Sequence, residues 1–265
     1  MYLLSVDIRP TAALTFRILP GSILDITTYP FVPPTTLSGF LRRLAMLAAG
    51  VDVPGTAVDD APYYVLPPSL VALGAYPLLG LRGKVHRTHR KGMKDFTDTS
   101  FTRIRVAGKE QPTFQLHTWE YLITDRLRGY IVTEDSSAFE SLRQIQGYGC
   151  KLGKEGFAYV EEVTGPIELQ RAEQSAPPAT LVPAASVIDA APDCPFDLYT
   201  LYSFVWQEGQ EAPQPDSDQR SPVRGYKPFS AAWCAEGKSI PLEYLSTGAL
   251  FIPYDLVNVL RGEGL

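Results

Sequence analysis

Cysteine is scarce: three residues in 265, Cys150, Cys194 and Cys234, far apart in the chain. They make no Cys-x-x-Cys pair and no Cys/His cluster. That speaks against a zinc site or a disulfide framework and fits a reducing cytoplasm. Long apolar runs are missing too. The most apolar stretch, residues 65–81, is broken by Pro67, Pro68, Gly74 and Pro77 and is too short to span a bilayer. The opening MYLLSVDIRP lacks the basic start, apolar middle and small-residue cleavage site of a secretory signal. Familiar catalytic signatures are also absent. There is no Gly-x-Ser-x-Gly elbow. GYGCKLGKEG at 147–156 contains Gly-Lys, but no Ser or Thr follows the lysine and a strand comes next, so it is not a phosphate-binding Walker loop.

What is present is ordinary globular composition, 45% hydrophobic and 20% charged, which excludes wholesale disorder. The length allows one large domain or two small ones. A chain of this size buries about three quarters of its extended surface and needs no covalent staple.

The net charge of −5 would argue against a polyanionic partner, but the charge is unevenly placed. Residues 82–105 hold Arg82, Lys84, Arg87, Arg90, Lys91, Lys94, Arg103 and Arg105 against only Asp95 and Asp98, a local charge of +6 that leaves −11 for the rest. His86 and His89 lie in the same window. Such a confined basic segment is an electrostatic footprint for nucleic acid. A solvated basic loop is the plainer alternative. Phe101, Arg103 and Arg105 alternate with Ile104 and Val106, so the segment ends as a strand with arginines on one face. A long basic β-hairpin over about 82–117 is the simplest geometry, and strand arginines can follow a phosphate backbone.

Around this window the chain alternates strands and helices. Residues 2–8 and 12–19 read as strands, and Pro20-Gly21 as a turn. Pro33-Pro34 ends the strand region, Thr35 or Thr36 is placed to cap a helix, and Leu37, Phe40, Leu41, Leu44 and Ala48 form one apolar face, with Arg42 and Arg43 off it and Gly50 as the stop. Residues 113–123 and 129–133 read as strands. Ser137 and Glu140 have capping-box spacing, and Ala138, Leu142 and Ile145 make a second, shorter helix. A glycine-rich loop (Gly147, Gly149, Gly153, Gly156) and the strand 157–163 follow. The loop reads equally as a helix stop with a tight turn and as a place where backbone approaches phosphates, with Lys151 and Lys154 beside it. The order is the βαββαβ plan of an α+β, ferredoxin-like (RRM-like) domain over residues 1–165, with the basic hairpin inserted. Residues 166–265 hold 12 of the 23 prolines, six Lys/Arg and thirteen Asp/Glu. They read as an acidic, loop-rich, strand-containing region packed on the first. Residues 170–195 and 208–222 are linker or loop, and 198–206, 233–235 and 249–252 are short strands.

Metal-independent RNA cleavage needs a general base near the 2′-hydroxyl and a cation for the developing charge. His86, His89 or His117, with Lys84, Lys91 or Tyr121, are the residue types for it. Metal ligation by His86 and His89, three apart in a basic hairpin, is disfavoured because the cations repel a metal ion.

Two segments resemble a known family. Residues 29–44, YPFVPPTTLSGFLRRL, resemble the helix start of CRISPR-associated RAMP proteins, most of all the Cas-five group that caps the 5′ handle of the guide RNA in type I Cascade. Residues 142–163, LRQIQGYGCKLGKEGFAYVEEV, resemble the glycine-rich loop and strand that mark RAMP proteins, and 82–105 sits where the group carries its thumb hairpin. The resemblance covers residues 1–165. Length and C-terminal region are closest to the type I-D version, the Csc-one subunit, and the type III counterparts are the nearest confusable relatives.

The resemblance implies a non-catalytic, cofactor-free, cytoplasmic subunit. It clasps the 5′ handle of the crRNA and contacts the Cas-seven-type backbone and the large subunit. It meets target DNA only through the complex. Pro34, Thr35, Thr36, Ser38 and Gly39 then offer backbone N–H groups to the handle, and Arg42 and Arg43 reach phosphates. Tyr148, Lys151 and Lys154 come from the glycine-rich loop. Arg82, Lys84, His86, Arg87, His89, Arg90, Lys91, Lys94, Arg103 and Arg105 follow the RNA. The type I-C branch cuts repeat RNA with a tyrosine, a lysine and an adjacent histidine. Here no Lys-His pair exists, since His86 follows Val85, His89 follows Thr88 and His117 follows Leu116. An endoribonuclease for CRISPR precursor RNA, and a protein–protein adaptor whose basic hairpin docks an acidic partner, stand as the alternatives.

Overall fold

The computed structural model describes residues 1–18, 25–51, 63–78, 84–91, 103–106, 109–112, 116–154 and 156–262. It is a mixed α/β chain whose strands pair antiparallel except for β2 with β7. The elements are β1 (Tyr2–Pro10), β2 (Asp25–Ile26), α1 (Pro34–Ala48), β3 (Val71–Pro77), β4 (Lys84–Lys91), β5 (Arg103–Val106), β6 (Lys109–Pro112), β7 (Leu116–Ile123) and β8 (Leu127–Thr133). There follow α2 (Glu140–Arg143), β9 (Gly149–Leu152), β10 (Gly156–Glu168), β11 (Gln170–Ala176), β12 (Val182–Pro183), α3 (Ala184–Ala190), β13 (Phe196–Trp206), β14 (Val223–Cys234), β15 (Ile240–Ser246), β16 (Phe251–Pro253) and α4 (Tyr254–Arg261).

The principal sheet has five strands in the order β3-β8-β1-β10-β9, each antiparallel to its neighbours. Strand β1 lies in the middle, and Leu3, Leu4, Val6 and Ile8 are buried. A strand covered on both faces reads as a near-continuous apolar run, as this one does. Asp7 stands opposite Arg128 on β8 and accepts two hydrogen bonds from its guanidinium at 2.7 and 2.8 Å. Burial of the carboxylate is thus matched by a bidentate charge pair. Helix α1 buries Leu37, Phe40, Leu41 and Leu44, the expected stripe. Each contributes about 1.5–3 kcal/mol by leaving water. The helix stops before Gly50.

One continuous core joins this sheet to the later elements. It includes Leu4, Val6, Leu37, Leu41, Ile131 and Val160 together with Leu181, Leu201, Phe229, Leu245 and Leu256. Strand β10 itself runs from Gly156 to Glu168 across position 165. The later elements form two three-stranded sheets, β11-β15-β16 and β12-β14-β13. The described parts of the basic segment are strands of a ribbon that lies in the chain between β3 and β8. Strand β4 pairs antiparallel with β7 from Lys84↔Ile123 to Lys91↔Leu116, and β5 pairs with β6 from Arg103↔Pro112 to Val106↔Lys109.

Four local expectations are corrected. Residues 12–18 are not a strand, because successive backbone groups pair with different segments: Leu14 with Leu122, Lys154 with Thr15, and Arg17 with Thr28. Neither Thr35 nor Thr36 caps α1, since Pro33 is the N-cap, Pro34 already lies in the helix, and no side chain caps it. The cap at 136–143 is Asp135, which accepts from the Ser137 N–H at 2.9 Å, not a Ser137–Glu140 box. Residues 170–195, read as linker, hold β11, β12 and α3: β11 pairs along its length with β15, so distant partners ordered a stretch whose own composition suggests a loop.

Candidate nucleic-acid interface

Residues 11–18 form a seam on which several predicted site residues converge. Phe16 donates its N–H to Thr28 Oγ1 at 2.8 Å, and Tyr29 donates its N–H back to the Phe16 carbonyl at 3.0 Å. That places the seam against the entry to α1. On its other side Lys154 donates its N–H to the Thr15 carbonyl at 3.0 Å. The glycines explain the contact. Gly153 has φ 73°, and a Cβ there would lie 2.6 Å from the Thr15 carbonyl oxygen and 2.9 Å from the Phe16 ring; a Cβ on Gly156 would lie 2.1 Å from a Leu14 methyl. The glycine-rich segment is a β9–β10 hairpin whose backbone must touch the seam, a role only glycine fills there. From that turn Lys154 extends its ammonium over the Trp119 ring of β7, 4.5 Å from the centroid, a cation–π contact at the foot of the ribbon.

Above the seam lies a cavity of about 440 Å³ between the first turn of α1 and the β13–β14 hairpin. Phe16, Arg17, Tyr29, Pro33, Thr35, Thr36, Leu201, Tyr202 and Tyr226 line it. Tyr29 is fixed by donating its hydroxyl to the Thr200 carbonyl at 2.5 Å. Its phenol is pushed up to about 12 by burial, with Tyr202 and Tyr199 adding to the shift. Tyr226 is likewise raised to about 12, by burial and then by Tyr63. These rings stay neutral at physiological pH and present aromatic surface. Tyr226 also gathers Tyr63, Tyr202 and Phe204, with ring centroids 5.7, 6.4 and 5.7 Å away.

The predicted site residues divide. Thr35 and Thr36 line the cavity, Arg43, Tyr148, Lys151 and Lys154 are at the surface, and Lys154 sits on Trp119. Lys84, His86, Arg87, His89, Arg90, Lys91, Arg103 and Arg105 lie on ribbon strands; Arg82 and Lys94 lie outside the described residues. Two assignments are corrected. Arg42 is fully buried, and its guanidinium donates to the carbonyls of Pro213, Ser217 and Gln219 at 3.2, 2.7 and 3.2 Å. Burial lowers its pKa to about 10, partly offset by Asp216, and at neutral pH it holds the β13–β14 connection onto α1 instead of reaching a phosphate. Ser38 is buried, and its hydroxyl accepts the Leu66 N–H at 2.9 Å, so it too serves the fold.

Sequence reasoning missed Arg17, Tyr29, Tyr202 and Tyr226. The one available signal, for Tyr202, is the aromatic density of the strand 198–206, LYTLYSFVW. Among the described residues no group of three or more His, Cys, Asp or Glu is arranged to hold a metal, and no helix is long and apolar enough to cross a membrane.

No family model and no curated protein matches this chain. Among solved structures it is similar to a chain of the type III-B Cmr-beta complex bound to cognate target RNA, at 12% identity and TM-score 0.41 over 89% of this chain and 86% of that one. With target RNA and AMPPnP bound, that assembly gives TM-score 0.43 at the same identity and coverage. A chain of a CRISPR RNA-guided surveillance complex aligns over 99% of both chains at 10% identity and TM-score 0.34. At such low scores the site stands on its own residues.

Proposed function

We propose that this chain is a structural, RNA-binding subunit of a type I CRISPR Cascade effector complex that caps the 5′ handle of the crRNA. In that role it helps assemble the complex for interference with target DNA. The observation that carries the reading is the basic segment itself. It extends as a β-ribbon from between β3 and β8, and Lys154 covers Trp119 at its foot. This is the position in which the resemblance expects a thumb. The strand order β3-β8-β1-β10 supports a ferredoxin-like βαββαβ plan, in which the second and third strands pair beside the first. We read residues 1–165 as that RRM-like unit, with 166–265 closing its core. The partners in this reading are the crRNA, the Cas-seven-type backbone and the large subunit, in the cytoplasm, with no catalytic step by this chain.

The test is labelled CRISPR repeat RNA titrated with purified protein in EDTA across a salt series, on native and denaturing gels. A shifted, uncut RNA whose binding weakens with salt is the expected result. A discrete product, lost when His86, His89 or His117 is replaced by Ala, would move the protein to the endoribonucleases. No shift at any salt would favour the adaptor.

A further inference from the structure

The cavity above the seam has the size range of small-ligand sites, about 300–1,000 Å³, and its lining combines two chemistries. One wall is aromatic: Tyr202 and Tyr226 approach at 6.4 Å with nearly perpendicular rings, and Tyr226 keeps 47% of its surface open to solvent. The other is cationic and rich in donors. Arg17 Nε is buried without a hydrogen-bond partner, and Thr35 and Thr36 belong to a first helical turn that no side chain caps and no acidic residue neutralises. Among the described residues no carboxylate lines the cavity, although acidic residues outnumber basic ones in the chain. A flat π surface beside a local positive charge fits one nucleotide, base on the rings and phosphate on the cation.

We infer that this cavity receives a single nucleotide splayed out of the bound RNA, its base against Tyr202 and Tyr226 and its phosphate against Arg17 and the first turn of α1. The inference rests on the RNA-binding reading above and adds to it a place where one base leaves the strand. The ribbon supplies charge along the backbone, and the cavity supplies a stop at one position. Because the pocket is built jointly by α1 and the β13–β14 hairpin, the C-terminal region takes part in RNA recognition.

The experiment uses the full chain and a set of repeat RNAs, each with 2-aminopurine at one position. Wild-type protein is expected to change the fluorescence of one position far more than its neighbours. Tyr226→Ala should remove that signal and weaken binding about 5- to 150-fold with little change in salt slope, the range for losing one stacked base. Tyr226→Phe keeps the ring and should restore the position-specific fluorescence change that Tyr226→Ala loses. Arg17→Ala should lower the salt slope by about 0.7, one phosphate contact on a single strand. Circular dichroism melts check that each variant is folded. If wild type binds RNA while no position responds, or Tyr226→Ala binds unchanged, the pocket is refuted and the RNA-binding reading survives. Wild-type protein that binds none of the RNAs overturns both.

Discussion

The β4–β7 ribbon and the cavity at the start of α1 are built from opposite materials. The ribbon concentrates cations on extended strands. A contact of that kind is long-ranged, salt-sensitive and indifferent to sequence. The cavity is lined by tyrosines and a single arginine, so its contribution is mostly shape and desolvation, with one salt-sensitive contact at Arg17. The ribbon is one stretch of chain, whereas the cavity is assembled from residues 16–17, 29–36, 201–202 and 226. The comparison teaches that in this molecule charge is laid down locally and recognition surface is gathered from afar.

The strongest way to break the comparison is at Arg42. Arg42→Ala removes three hydrogen bonds from a buried charge and leaves the 213–219 carbonyls unpaired. Urea denaturation should show a loss of about 3 kcal/mol, with Arg42→Lys recovering only part because a single ammonium nitrogen cannot stand where both terminal guanidinium nitrogens do. The cavity variants and Arg42→Ala should then be non-additive, while the salt slope set by the ribbon stays unchanged.

Next is the hairpin turn that holds the seam. Gly153→Ala puts a Cβ 2.6 Å from the Thr15 carbonyl at φ 73°, and the expected cost is about 2 kcal/mol by thermal melting. Wild-type stability would show that the turn can shift and that Phe16 does not depend on it.

The ribbon is tested separately. Replacing Arg103 and Arg105 together with Ala should lower the salt slope of RNA binding by about 1.4, two single-strand contacts, and weaken binding about tenfold. Unchanged binding would remove these arginines from the interface.

The smallest effect at neutral pH, and a means of sharpening the contrast, is alkaline titration. Tyr29 ionises near 12 instead of 10, and Tyr76 and Tyr244 are also shifted upward by burial. A phenol whose folded pKa is raised favours the folded state below its ordinary value. That stability is complete below pH 10 and is lost as pH climbs through 12. Tyrosinate absorbance should show these three rings ionising only as circular dichroism reports unfolding. Titration of Tyr29 in a folded chain would mean that its place beside the cavity is open to water.

Much of the frame was legible in the sequence. Apolar spacing marked α1, apolar runs marked β1 and β8, and the charge count located the ribbon, because each signal lies within one element. Where a local rule depended on contacts elsewhere, it failed. The threonines at 35 and 36 have capping chemistry, but two prolines move the helix start ahead of them. The stretch 170–195 has loop composition, yet β15 orders its first part as a strand. Arg42 and Arg43 are indistinguishable as neighbours in the chain, and one is fully buried while the other is exposed.

The sequence by itself determined α1 and the strands β1 and β8, the apolar face of α1, and where positive charge accumulates, since periodicity and composition act over a few residues. Tertiary structure alone decided that Arg42 binds carbonyls 171 to 177 residues away, that Gly153 and Gly156 serve close packing on the seam, and that Tyr29, Tyr202 and Tyr226 share one cavity. Those outcomes depend on which distant segments meet, and one side chain's chemistry is the same in either place until the core closes around it.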